Sequence, residues 1–184
     1  ISGGAVIVVF GFLDDVIELG YRTKFAGQIV AALVVIVLGG LQVRSLGDLA
    51  PGVVLPPVAA VPLTCLLLVA AANAVNLADG LDGLAGGICL IMFVCIGVIS
   101  YAAGKSFGVF VSVAAAGAIF GFLRYNTHPA VIFMGDTGSQ LLGFLAMALA
   151  IWISQDVAGL SIMLPIVLMG FPLTDTALVM IERL

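Results

Sequence analysis

Ten carboxylates stand in a chain of 184 residues that is 63% hydrophobic, and half of them fall in three short clusters. Asp14 and Asp15 end the run Gly11-Phe-Leu-Asp-Asp. Like charges this close push one pKa up, which suits a general base, or they recruit a cation. Taken alone, an ordinary solvated helix end has the same composition. The second cluster is Asn73-Ala-Val-Asn76-Leu-Ala-Asp79-Gly80-Leu-Asp82-Gly83. Asn76 and Asp79, three apart, share one face of a helix end, and Gly80 and Gly83 permit close approach of a ligand. Helix capping plus a turn is the plain alternative.

The third cluster is Asn126-Thr-His128-Pro-Ala-Val-Ile-Phe133-Met-Gly-Asp136-Thr137-Gly-Ser139. Thr137 or Ser139 is a candidate cap for a helix that starts beside Asp136. Amide groups at that helix N-terminus attract phosphate, and the carboxylate attracts a divalent metal. Together the clusters suit a magnesium diphosphate, with manganese as a substitute, because Mg²⁺ binds through one or two carboxylates plus substrate phosphates. Lys24 and Arg124 can neutralise further phosphate charge. His128, the lone histidine, either bonds locally or meets substrate. Phe133 divides evenly between membrane-interface anchor and stacking platform.

The elements that must position these residues are transmembrane helices. Only 9% of the residues are charged, against about 25% in soluble domains, and the mean hydropathy is +1.34. A spanning helix needs roughly 20 apolar residues. Seven segments emerge: Ile1–Leu13 (cut short), Phe25–Leu41, Val58–Val75, Leu84–Ala103, Phe107–Leu123, Gln140–Ile153 and Leu160–Ile181. The sixth is short enough to extend through Ser139 and Ser154, and Pro165 and Pro172 predict a break in the seventh. The expected architecture is an all-α, multi-span helical bundle forming a single transmembrane domain over residues 1–184. The stretch Gln42–Pro57 carries the turn signals of a short extracytoplasmic β-hairpin.

Alternating spans place Asp14–Lys24, Asn76–Gly83 and Arg124–Ser139 on one membrane face. That face holds Arg22, Lys24, Arg124 and Arg183 against Arg44 and Lys105 opposite, which makes it cytoplasmic. Asp14, Asp15, Glu18, Asp79, Asp82, Asp136 and Glu182 lie there too, with Asp175 nearby, and only Asp48 and Asp156 lie opposite.

Composition also excludes functions. A net charge of −4 without a basic stretch argues against nucleic acid. Cys65, Cys89 and Cys95 sit inside apolar runs and, with one histidine, cannot make a zinc site. Gly104-Lys105-Ser106 has Ile99 where a P-loop needs glycine. Gly117-x-x-x-Gly121 is most simply close helix packing. The rival to an enzyme is a polytopic transporter with a carboxylate-lined path, but such a path needs ionisable groups near segment midpoints, and here the midpoints are clean.

The three clusters resemble the polyprenyl-phosphate N-acetylhexosamine-1-phosphate transferases of glycosyltransferase family 4. The carrying residues are Asp14-Asp15, Asn76-Leu-Ala-Asp79-Gly-Leu-Asp82-Gly83 and Asn126-x-x-Pro-Ala-x-x-Phe-Met-Gly-Asp136-x-Gly-Ser139, in order over essentially the whole chain. The wording, including Arg44-Ser-Leu-Gly-Asp48-Leu, is closer to the branch that uses UDP-N-acetylglucosamine than to the branch that uses UDP-MurNAc-pentapeptide. The resemblance implies transfer of a sugar-1-phosphate from a UDP-sugar to undecaprenyl phosphate within the plasma membrane, with release of UMP, as the first membrane step of cell-envelope glycan synthesis. It implies Asp136 as the main Mg²⁺ ligand with Asp15 beside it, and Asp14 or Asp15 as the group that deprotonates or orients the lipid phosphate. It implies Lys24 on phosphate; Asn76, Asp79, Gly80 and Asp82 shaping the nucleotide site; Asn126 and His128 contacting substrate; and Phe133 stacking on uracil. Association as a homodimer is compatible with it. The family also has further N-terminal helices and a histidine-rich cytoplasmic loop that would follow Arg183, so the chain is expected to be a partial catalytic domain.

Overall fold

A computed structural model describes residues 2–157 and 162–174. Its helices are α1 (Ser2–Ile17), α2 (Tyr21–Gly39), α3 (Pro57–Ala78), α4 (Leu84–Ala102), α5 (Ser106–Asn126), α6 (Gly135–Asp156) and the short α7 (Met163–Leu168), with a 3₁₀ turn at Gly47–Leu49. Helices α2 to α6 are each long and apolar enough to cross a membrane. At about 1.5 Å per residue they match a hydrocarbon core about 30 Å thick. A helix satisfies its own backbone polar groups, which lipid cannot do. The protein is an all-α multi-span membrane protein.

Helix α6 is the axis of the bundle and touches α1, α3, α4, α5 and α7. Its Phe144, Met147, Ala150, Ile151 and Ile153 are buried with Leu68, Ala71 and Val75 of α3 and Cys89, Phe93 and Ile96 of α4. Small residues set the spacing, as is usual where lipid gives helices no hydrophobic reason to associate. A Cβ on Gly143 would lie 2.4 Å from the Ala71 carbonyl oxygen, so α3 and α6 meet backbone to backbone. Helix α5 packs chiefly on α4 and leaves Phe110, Val113 and Phe120 exposed.

Several boundaries differ from expectation, for one reason. Polar residues at helix ends pair across the bundle, so the helices continue through them. Helix α1 runs past Leu13 and carries Asp14 and Asp15 in its last turns; α2 starts at Tyr21 and includes Lys24; α6 starts at Gly135 and includes Asp136. The long charged loop expected between the first two segments is a three-residue turn, 18–20. The expected hairpin reduces to one antiparallel bridge, Ser45 to Val54, extended by the Leu55 amide donating to the Arg44 carbonyl. Gln155 holds this loop by accepting from the Arg44 and Ser45 amides and donating to the Ser45 carbonyl. Gly117 and Gly121 do not form a packing motif, since nothing described lies within 4 Å of a Cβ at either. Helix α7 ends at Leu168 and residues 170–174 are helical again, so the interruption falls at Met169, between Pro165 and Pro172. Residues 175–184, with Asp175, Glu182 and Arg183, lie outside the described residues.

Candidate active site

Four helix ends meet at one end of the bundle: the C-terminal ends of α1 and α3 and the N-terminal ends of α2 and α6. Together they supply a compact polar cluster. Lys24 Nζ lies 2.7 Å from the Asp14 carboxylate and also pairs with Asp136. Asn76 Nδ2 donates to Asp136 Oδ1 at 2.7 Å and to Ser139 Oγ at 2.9 Å. Ser139 Oγ in turn donates to the Gly135 carbonyl. Two carboxylates therefore share one ammonium. Asp14 is the buried member, while Lys24 and Asp136 keep partial access to solvent.

Asp15 points the other way around the end of α1. Its Oδ1 accepts from the Asp136 amide at 2.9 Å, and its Oδ2 accepts from the Thr137 amide at 3.1 Å and from the Thr137 hydroxyl. This differs from the expected cap. Neither Thr137 nor Ser139 closes the N-terminus of α6; a carboxylate from α1 does. A helix N-terminus carries unsatisfied amides and partial positive charge, so an incoming carboxylate is well placed there. The two amides expected to receive phosphate are thus held by the protein itself. Gly11 makes the arrangement possible. A Cβ there would lie 2.7 Å from the Thr137 Cα, so only glycine lets α1 come this close to the first turn of α6.

Asp79 follows α3 directly. Burial pushes its carboxyl up to about 6, the Asp136 charge pushes it the same way, and a hydrogen bond from the Gly135 backbone opposes both. It is a half-buried carboxyl able to exchange a proton near neutrality. Gly80, the next residue, is exposed.

The remaining sequence candidates form a second group, beside the first. Asn126 is buried, accepts from the Gly83 amide at 3.1 Å and donates to the Ile132 carbonyl at 3.0 Å. Asp82 Oδ2 meets His128 Nδ1 at 3.0 Å and accepts from the Ala130 amide at 3.1 Å. That amide, and His128 after it, hold the Asp82 carboxyl below its ordinary value. Asp82 and Asn126 thereby tie the turn after α3 to the segment before α6, while the His128 side chain stays 87% exposed. Phe133 is exposed on the same segment. Arg124 is exposed and has no ion pair among the described residues.

Two further participants, Gln28 and Gln140, carry no charge and fall in no motif, and they join Asn73 from the start of the second cluster. Gln28 and Gln140 are buried and bonded to each other at 2.9 Å, and both amide groups of Gln28 and Asn73 pair reciprocally. A glutamine inside an apolar run looks like a neutral interruption. Only its register with Lys24 or Asp136, four residues away on the same helix face, marks it.

The family model for glycosyl transferase family 4 matches residues 1–154. The chain is 38% identical, over 99% of its length, to a probable undecaprenyl-phosphate N-acetylglucosaminyl 1-phosphate transferase of Bacillus subtilis, covering 51% of that protein. It is 36% identical to the decaprenyl-phosphate N-acetylglucosaminephosphotransferase of Mycolicibacterium smegmatis, over 100% of this chain and 50% of that one. It is 40% identical to the phospho-N-acetylmuramoyl-pentapeptide-transferase of Halalkalibacterium halodurans, over 81% of this chain and 49% of that one. The chain thus spans about half the length of the curated relatives it matches. With the match extending across α1 to α6 and every cluster described above, the chain belongs to glycosyl transferase family 4.

Proposed function

We propose that this chain is the catalytic membrane portion of an enzyme that transfers an N-acetylhexosamine-1-phosphate from a UDP-sugar to undecaprenyl phosphate and releases UMP. N-acetylglucosamine is the favoured sugar, because two relatives named above carry it in their names. The observation that carries the reading is Lys24 held between Asp14 and Asp136, from three helices, at one end of the bundle. A lipid phosphate can reach that end within the bilayer, and a nucleotide can reach it from water.

In the reaction, an oxygen of the lipid phosphate attacks the phosphorus that bears the sugar, and the bond to the UMP oxygen breaks. Positioning and charge neutralisation supply most of the acceleration in such displacements. Asp14, the buried carboxylate among the described residues, accepts or orients the proton of the lipid phosphate, with Asp15 as the other candidate. Lys24 has two carboxylates to leave and an anion to receive, so it holds phosphate. Asn76 keeps Asp136 aimed. Asp79 and Asp82, with the turn at Gly80, border the nucleotide side, and Asn126, His128 and Phe133 come from the segment facing that turn. Attack in one step and a two-step route through an aspartyl intermediate both fit these positions.

The donor chemistry fits a hard divalent cation. Asp14, Asp79 and Asp136 offer only oxygen, and one ammonium faces two of them. Mg²⁺ takes few protein ligands and completes its shell with water and phosphate. Asp136 would hold it. Asp15 is the second ligand we propose, since a carboxylate has about four lone-pair sites and can serve α6 and a cation together. The ion would neutralise charge on the diphosphate. The site is proposed to face the cytoplasm across the plasma membrane.

The test uses the full-length protein in detergent with UDP-N-acetylglucosamine, undecaprenyl phosphate and Mg²⁺. UMP release is expected, and Asp136→Asn should lower kcat by about 10³-fold or more, in the range seen when a charge-stabilising group is removed. Turnover unchanged in that variant would overturn the assignment.

A further inference from the structure

One helical turn below the ion-pair cluster lies a second, uncharged layer. Gln28 is four residues from Lys24 on α2, Asn73 three from Asn76 on α3, and Gln140 four from Asp136 on α6. Three of the four helices that contribute to the upper cluster, α2, α3 and α6, thus contribute an amide to the lower one. Gln28 is the hub. Its Nε2 donates to Gln140 Oε1 at 2.9 Å and to Asn73 Oδ1 at 3.3 Å, and its Oε1 accepts from Asn73 Nδ2 at 2.6 Å. Asn73 spends its other N–H on the Val69 carbonyl of its own helix. Gln28 and Gln140 are 1% and 2% exposed, and Gln140 Nε2 has no partner among the described residues. Buried amides in a membrane bundle cost free energy unless they bond across helices. A packing layer would be better made of leucine.

We propose that Gln28, Asn73 and Gln140 are positioning residues that fix the rotation and axial register of α2, α3 and α6, and so set the spacing of Lys24, Asn76 and Asp136 above them. Helical side chains lean toward the N-terminus. Gln28 and Gln140 therefore lean toward the cluster and Asn73 leans away from it, which brings three different registers to one level. The kinetic part of the test rests on the transferase reading; the stability part does not.

Two comparisons decide it in the full-length protein. In the first, Gln140→Met and Gln28→Glu lower kcat about 10- to 100-fold, the cost of a small misplacement of reacting groups. KM for UDP-N-acetylglucosamine stays within about twofold. Gln140→Glu retains kcat within about fivefold, because only the acceptor oxygen of Gln140 is in use. Gln28→Glu is not rescued, because the hub donates two bonds, and a carboxylate donates none and a protonated carboxyl one. In the second, the melting shift of Lys24→Met is measured alone and in the Gln140→Met background. The two substitutions are expected to be non-additive, with the Lys24→Met shift reduced by about half or more. Full kcat in Gln140→Met, or additive melting shifts, overturns the proposal. If the wild-type protein releases no UMP, the transferase reading falls and the melting cycle still decides this one. Should the methionine variant not fold, the contrast between Gln140→Glu and Gln28→Glu reads the same network.

Discussion

Asp79 shows how a single side chain reports on the site around it. Its folded value of about 6 lies above the ordinary 3.8, so the native state binds its proton more tightly than the unfolded chain does. That contribution to stability is complete below pH 3.8 and is lost as the pH rises through about 6. Asp79→Asn removes the titration. In detergent with EDTA, the melting temperature of the variant should gain on wild type by a few degrees between about pH 4 and pH 8. A pH-independent difference would show that Asp79 is not held in the buried setting described. Asp82 has the opposite sign: its lowered value stabilises the tie between the turn after α3 and the segment before α6 above the ordinary carboxylate range, and that stabilisation fades on acidification. The charged members of the site were legible because charge is conspicuous in a chain this apolar. Their partners were not. Nothing in the spacing of Asp15 says that it caps a helix begun 120 residues later, because that contact depends on how close two helices come.

That closeness is decided at the scale of the element. Gly11 stands one turn before Asp14 and Asp15 and faces the main chain of Thr137. Alanine normally gains about 1 kcal/mol over glycine inside a helix. Here the added carbon would meet backbone at 2.7 Å, and backbone cannot rotate aside, so an overpacking cost of about 1–3 kcal/mol should dominate. Gly11→Ala is expected to lower the melting temperature and the activity together by parting α1 from α6. Gly117→Ala, a change of the same chemistry on open surface, is expected to leave both unchanged or raise stability slightly. Equal effects at the two positions would rule out backbone contact at Gly11. The number and order of the helices through α6 were readable from hydropathy, because a span must be about as long as the bilayer is thick. The helix ends were not, since a charged residue counts as loop by hydropathy but remains helical when a neighbouring helix supplies its partner, as Lys24 does for Asp14 and Asp136. The glycine pair Gly117 and Gly121 misled for a related reason: small-residue spacing permits close packing without naming a helix to pack against.

Across the whole molecule, orientation is the property that links the site to its substrates. The site end carries Arg22, Lys24 and Arg124, and the opposite end carries Arg44 and Lys105, the latter paired with Asp156 at 2.5 Å. Acidic residues weigh little in deciding sidedness, so the concentration of carboxylates at the site end does not oppose this bias. The proposed reaction would require the same orientation, because a UDP-sugar donor is a charged solute that does not cross lipid and would have to meet the cluster from the compartment that makes it. Thr127 at the site end and Ser106 at the other are both exposed, whereas Cys65, Cys89 and Cys95 lie within helices. In intact cells a membrane-impermeant maleimide should therefore label full-length Ser106→Cys and spare Thr127→Cys, and the pattern should reverse in inverted vesicles. Labelling of Thr127→Cys from outside the cell would put Lys24, Asp14 and Asp136 on the wrong side of the membrane for a cytosolic nucleotide, and the proposed donor could not reach them.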